Sequence, residues 1–174
     1  PTATLIEDVQ ICPGGSANVP VLLSDNETYD LTYALNGTVQ ESITVTGPEA
    51  QLLIDEAGFV SLVSLSQGTC QGVVFGFIDV TEAALPEASL NGDIAFCEGD
   101  VGTVQLDLIG QGPWTLEYSI NNGTALQETA LASPALIQVN EPGTFQLIGI
   151  ADANCSAPIA DEISLTQNSL PLAT

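Results

Sequence analysis

Four cysteines, Cys12, Cys70, Cys97 and Cys155, are the side chains here with the clearest chemistry. No two of them form a C-x-x-C pair, and the chain has no histidine. A zinc site draws on tighter spacing and usually on imidazole, so the even count reads as disulfide bonding. Disulfides persist outside a reducing cytosol, which makes a secreted, extracellular chain the expectation. Four cysteines allow three connectivities. Pairing Cys12 with Cys70 and Cys97 with Cys155 would make each half self-contained. Each bond would close a loop of about 58 residues and add roughly 4 kcal/mol in chain-entropy terms.

The rest of the catalytic repertoire is missing. The chain holds 22 Asp plus Glu and no Lys, Arg or His, a net charge of -22. The usual general bases and Schiff-base nucleophiles, His and Lys, are therefore absent, and Ser-His-Asp or Cys-His arrangements cannot form. A carboxylate pair remains, but Asp55-Glu56 and Asp161-Glu162 are adjacent, and neighbours on a strand face opposite ways. The expectation is a protein without catalytic residues or an organic cofactor.

Oxygen donors alone suit calcium. Its candidate ligands are Glu7 and Asp8 with Glu82, and Asp93 with Glu98 and Asp100. Solvated surface acids are the competing reading, because no Asp-x-Asp-x-Asp-Gly loop occurs. Sequons make Asn26, Asn36, Asn122 and Asn154 candidates for glycosylation. Nucleic acid is excluded as a partner, since binding needs cations to displace phosphate counterions. Anionic membrane surfaces are excluded likewise. No apolar run approaches the roughly 20 residues that span a bilayer.

Behind these residues lies an internal repeat. Cys12 to Cys97 and Cys70 to Cys155 are both 85 residues, and without gaps 20 of 85 positions are identical. Asp8 maps to Asp93, Asn36 to Asn121, Gly58 to Gly143 and Ile78 to Ile163. Repeats are thus expected at 1–85 and 86–170. Residues 171–174 resume the pattern of Pro1-Thr2-Ala3-Thr4, as the start of a third repeat in a longer array.

Apolar alternation at period two, broken by Gly, Pro, Asn and Asp, predicts strands. In the first repeat they fall near 3–11, 17–24, 29–36, 39–46, 50–55, 58–66 and 71–81. In the second they fall near 88–96, 102–109, 113–121, 125–131, 135–140, 143–151 and 158–167. Asn36-Gly37 and Asn122-Gly123 are hairpin-turn signals. Seven short strands in about 85 residues fit an all-β fold of two tandem immunoglobulin-like β-sandwich domains, each with one internal disulfide. Tyr29 and Trp114 occupy equivalent third-strand positions, where such a sandwich buries an aromatic.

Several segments carry a family resemblance: Cys12-Pro13-Gly14 or Cys97-Glu98-Gly99, then Gly112-Pro113-Trp114-Thr115-Leu116-Glu117-Tyr118, then Gly143-Thr144-Phe145-Gln146-Leu147 and Ala151-Asp152-Ala153-Asn154-Cys155. This pattern resembles the immunoglobulin-like repeats of giant secreted proteins of Bacteroidota, including gliding-motility-type adhesins of the type IX system. Val60 and Phe145 stand where that family often has Tyr. The resemblance implies cell-surface display and adhesion or fibre formation, with no catalytic residue to transfer. The expected function is a structural or adhesive repeat whose partners are neighbouring repeats or copies of itself in an array or filament. A module for a glycan or a surface protein, and an accessory domain of a secreted enzyme, are the alternatives.

Overall fold

A computed structural model describes residues 1–171; the last three residues of the expected third repeat, 172–174, lie outside the described residues. The chain divides into two compact units, with the break between Ala83 and Ala84. No helix occurs among the described residues.

The first unit contains β1 (Thr2–Leu5), β2 (Val9–Ile11), β3 (Ala17–Leu23), β4 (Thr28–Leu35), β5 (Thr38–Val39), β6 (Ile43–Thr46), β7 (Glu49–Ile54), β8 (Gly58–Gln67), β9 (Cys70–Gln71), β10 (Val73–Phe75) and β11 (Phe77–Glu82). One sheet runs β10-β1-β3-β7 and the other β2-β11-β8-β4-β5, with β6 on β4 and β9 on β8. The second unit contains β12 (Glu87–Leu90), β13 (Ile94–Cys97), β14 (Gly102–Ile109), β15 (Trp114–Ile120), β16 (Leu126–Ala130), β17 (Ala135–Val139), β18 (Gly143–Ala151) and β19 (Ser156–Asn168). Its sheets run β12-β14-β17 and β13-β19-β18-β15-β16.

Alternation in the sequence becomes alternation in burial. Along β14, Val104, Leu106 and Leu108 point inward, while Thr103, Gln105 and Asp107 face solvent. Each buried Val or Leu contributes roughly 1.5–3 kcal/mol of transfer free energy. Val19, Leu31, Leu52, Val60 and Leu65 centre the first core, and Leu106, Leu116, Phe145 and Leu147 the second. Tyr29 is buried as expected. Trp114 is only half-buried, and its indole N–H lacks a hydrogen-bond partner.

The expected strands need correction in several places, including 39–46, which is two short strands, β5 and β6. The single first strand of each repeat, near 3–11 and 88–96, is two strands on different sheets: β1 pairs with β3 and β2 with β11, as β12 pairs with β14 and β13 with β19. Crossing between sheets needs a break in pairing, which falls at Ile6–Asp8 and Asn91–Asp93. The strand near 71–81 is also broken in the first unit. Gly76, at φ +85, separates β10 from β11, and a Cβ there would come within 2.6 Å of the Leu5 carbonyl oxygen. Its counterpart is Asp161, inside the uninterrupted β19.

The turns fall at equivalent positions of the two repeats, and in the second unit that is one residue before the expected Asn122-Gly123. Asn36 and Gly37 both have positive φ, 51° and 79°, and close the two-residue β4–β5 hairpin. In the second unit the positive-φ pair is Asn121-Asn122 instead, with Gly123 N–H donating to the Ile120 carbonyl at 2.9 Å. Asn tolerates the left-handed region because its short side chain bonds locally.

Candidate functional site

The cysteines depart most from expectation. Cys12 and Cys155 are disulfide-bonded, whereas Cys70 and Cys97 are exposed free thiols. Neither within-repeat bond, Cys12–Cys70 or Cys97–Cys155, therefore exists. Strand direction explains this. In the first unit β2 runs parallel to β11, with Ile11 opposite Glu82. Val80 of β11 in turn lies opposite Gly58, the first residue of β8. Cys12 thus follows Ile11 at the Gly58 end of β8, while Cys70 pairs with Gln67 at the other end. The ten residues of β8 hold the two apart by about 30 Å, at roughly 3.3 Å per residue. In the second unit β13 is parallel to β19, Cys97 lies opposite Asn168, and Cys155 immediately precedes Ser156. The thirteen residues of β19 separate that pair by about 40 Å. A disulfide needs Cα atoms within about 7 Å.

Among the acids proposed for calcium, Asp8 and Asp93 do structural work. Asp8 Oδ1 accepts the Asp79 N–H, and Asp93 Oδ1 the Ser164 N–H, each at 2.8 Å. All four residues obey the 85-residue shift, so one device occurs twice, bridging the break in the first strand to the last strand. Glu82 ends β11 opposite Ile11, and Glu98 and Asp100 lie just beyond β13; all are exposed. No group of three or more His, Cys, Asp or Glu that could hold a metal occurs among the described residues.

A second duplicated device uses Asn36 and Asn121. Asn36 Oδ1 accepts the Phe59 N–H at 2.9 Å, and its Nδ2 donates to the Ala57 carbonyl at 3.3 Å. Asn121 does the same with Thr144 N–H at 2.9 Å and the Pro142 carbonyl at 3.1 Å. The side chain fills the space that a Cβ on Gly58 or Gly143 would need. A glycan on Asn36 Nδ2 would compete with this clamp. Asn154 Nδ2 donates to Gln111 Oε1 at 3.2 Å, while Asn26 and Asn122 lie exposed in turns.

Beside Cys155, one carboxylate collects three backbone donors. Asp152 Oδ1 accepts the N–H groups of Asn154 and Cys155, both at 2.8 Å, and Oδ2 accepts that of Gln111 at 2.9 Å. Burial alone would raise its pKa; the three N–H groups outweigh burial and hold it below the usual carboxylate value. Asp25 is lowered chiefly by the Tyr29 hydroxyl, which donates to it at 2.6 Å. Both carboxylates are spent on local structure.

An exposed aromatic face was not legible in the sequence. On the outer side of β8 and β11, the Phe59 and Phe77 rings stack at 5.1 Å, 42% and 66% exposed. Phe75 and Val63 are exposed too. The counterparts of Phe59, Phe75 and Phe77 are Thr144, Ala160 and Glu162, so the feature belongs to the first repeat alone. Burial in the expected core does not account for these three rings. In the second unit a groove of about 300 Å³ runs over β18 and β19. There Gln146 Nε2 donates to Glu162 Oε2 at 3.3 Å, an engaged pair without a nucleophile.

Against known proteins, residues 82–164 match the family model "Nucleoporin POM152, Ig-like domain". No curated protein sequence matches the chain. Among solved structures, a three-domain titin fragment, I67–I69 with Glu-to-Ala changes, is 14% identical with a TM-score of 0.49. It covers 94% of this chain, which spans 63% of that fragment's length. The human OSCAR ligand-binding domain is 8% identical, covering 89% of this chain and 92% of its own, with a TM-score of 0.40. A two-domain fibronectin type III segment of chicken tenascin is 12% identical at TM-score 0.35, covering 84% and 91%. The strand order within each unit and the family-model match agree on the architecture: the chain has an all-β, immunoglobulin-like fold.

Proposed function

We propose that the chain is a non-enzymatic structural repeat of a secreted, cell-surface array or filament, in which successive sandwiches act as spacers. The observation carrying this reading is the exact reuse of scaffold at an 85-residue shift: the Asp8/Asp93 ties and the Asn36/Asn121 clamps recur with the same partners. The repeat carries the devices that hold the sandwich twice over, and the polar groups best placed to act are engaged in them. Oxidised cysteines support a location outside a reducing cytosol. A surface without cations repels its own kind, which resists lateral clumping at low salt. Imaging of purified material tests the reading: fibres with an axial step of one or two sandwich units are expected. Monodisperse single chains at every concentration and redox state would refute it.

A second reading, a binding module for a glycan or surface protein, is favoured by the Phe59–Phe77 stack. Aromatic faces exposed in one repeat and absent from its copy are what a ligand platform would leave. Glycan binding that saturates, and that Phe59→Ser and Phe77→Ser both abolish, would move the assignment to this reading.

A further inference from the structure

We propose that Cys97 and Cys70 are covalent linking sites, each forming a disulfide with a cysteine of the opposite class on a further copy of this sandwich repeat; the inference rests on the array reading above. The 85-residue shift sorts the cysteines into two classes. Cys12 follows β2 and Cys97 ends β13, whereas Cys70 begins β9, ahead of β10 and β11, and Cys155 immediately precedes β19. The length of β8 in the first repeat and of β19 in the second sets the two classes at opposite ends of the sandwich. No cysteine can therefore reach the other within its own repeat. One member of each class, Cys12 and Cys155, is nevertheless disulfide-bonded. The remaining member of each class is an exposed thiol, held on fixed backbone by pairing with Gln67 or Asn168.

Opposite-class pairing is the kind that keeps one direction along an array. A bond from a Cys97 to a Cys70 repeats the same end-to-end relation and leaves one thiol of each class for the next copy. Like-class pairing would also extend, but through alternating two-fold joints that reverse direction at every copy. Electrostatics adds a reason for a covalent joint: with 22 acids and no Lys, Arg or His, side-chain ion pairs cannot hold copies together. The chemistry balances by thiol–disulfide exchange with a small-molecule or protein disulfide as oxidant. The Cys97 thiolate attacks that disulfide, forming a mixed disulfide and releasing one thiol. The Cys70 thiolate of a second copy then attacks the Cys97 sulfur, forming the protein bond and releasing the second thiol. Two protein thiols are oxidised and one disulfide is reduced to two thiols.

The test is oxidation of the purified chain by glutathione disulfide, read on non-reducing gels and by mass spectrometry after cleavage at Glu. That cleavage puts Cys70 on residues 57–82 and Cys97 on residues 88–98. A ladder of oligomers is expected, with those two peptides cross-linked to each other. Cys70→Ser and Cys97→Ser alone should stay monomeric, and mixed they should stop at a heterodimer. About tenfold more heterodimer than either homodimer is expected, the ratio set by a preference of about 1.4 kcal/mol. Like-to-like cross-links, or monomers whose two thiols stay reactive, would overturn the proposal. Imaging the Cys70→Ser/Cys97→Ser double variant separates the two readings: regular fibres from it would overturn the linking role and leave the array standing.

Discussion

Replacing Asn36 by Ala removes an acceptor from the Phe59 N–H at 2.9 Å and a donor from the Ala57 carbonyl at 3.3 Å. Net contributions of about 0.5–1.5 kcal/mol per hydrogen bond apply, and the exposed position of both bonds places their sum near the low end, about 1–1.5 kcal/mol. The backbone adds a second cost. Asn36 has φ 51°, and forcing Ala into that region costs roughly 1–2 kcal/mol. The total is about 2–3 kcal/mol, which for a sandwich this size lowers its melting midpoint by roughly 10–20 °C. Asn36→Gly separates the parts: it loses both side-chain bonds but accepts positive φ, so about 1–1.5 kcal/mol should remain. Urea unfolding followed by circular dichroism, with Asn121→Ala as the matched variant in the second unit, measures all three. A change for Asn36→Ala below about 0.5 kcal/mol, or equal losses for Ala and Gly, would refute the clamp as described.

Three other outcomes are expected. Asp152 has a folded pKa below its unfolded value, so its contribution to stability is full above about pH 4 and is lost as pH falls through the folded pKa. Unfolding of Asp152→Asn should show a weaker acid dependence than the parent, measured by midpoint between pH 2 and 6 (about two units either side of the unfolded carboxylate pKa). Raising salt from about 0.01 to 0.15 M shortens the Debye length from roughly 30 to 8 Å, and screening of uncompensated acids should raise the melting midpoint. Phe77→Ser changes a side chain 66% exposed, so stability should shift by less than about 1 kcal/mol; a larger loss in unfolding experiments would show that the stack is structural.

Much of the fold was legible because strand formation here is local. Alternation at period two fixed which side of β14 or β7 faces the core, and Asn36-Gly37 specified its hairpin through positive φ at both residues. The 85-residue shift marked which polar residues have counterparts, and the structure reads it out as paired ties and clamps. The Asn121-Asn122 turn was displaced by one residue because Asn, like Gly, tolerates positive φ, so the Asn122-Gly123 signal was ambiguous. The exposed phenylalanines were missed because β8 carries apolar residues on both faces, Phe59 and Val63 outside and Val60, Leu62 and Leu65 inside, and sequence alone does not say which apolar set lies outside.

Amino-acid order by itself determined an all-β chain with repeated punctuation, an acidic surface without cations, and cysteines in two equivalent sets. Tertiary structure decided which cysteines can meet. The end of β2 and the start of the last strand would be neighbours if those strands ran antiparallel; they run parallel, so the length of a strand separates them. Strand direction is a property of long-range hydrogen bonding between segments about 70 residues apart in the chain, and no local pattern of side chains encodes it.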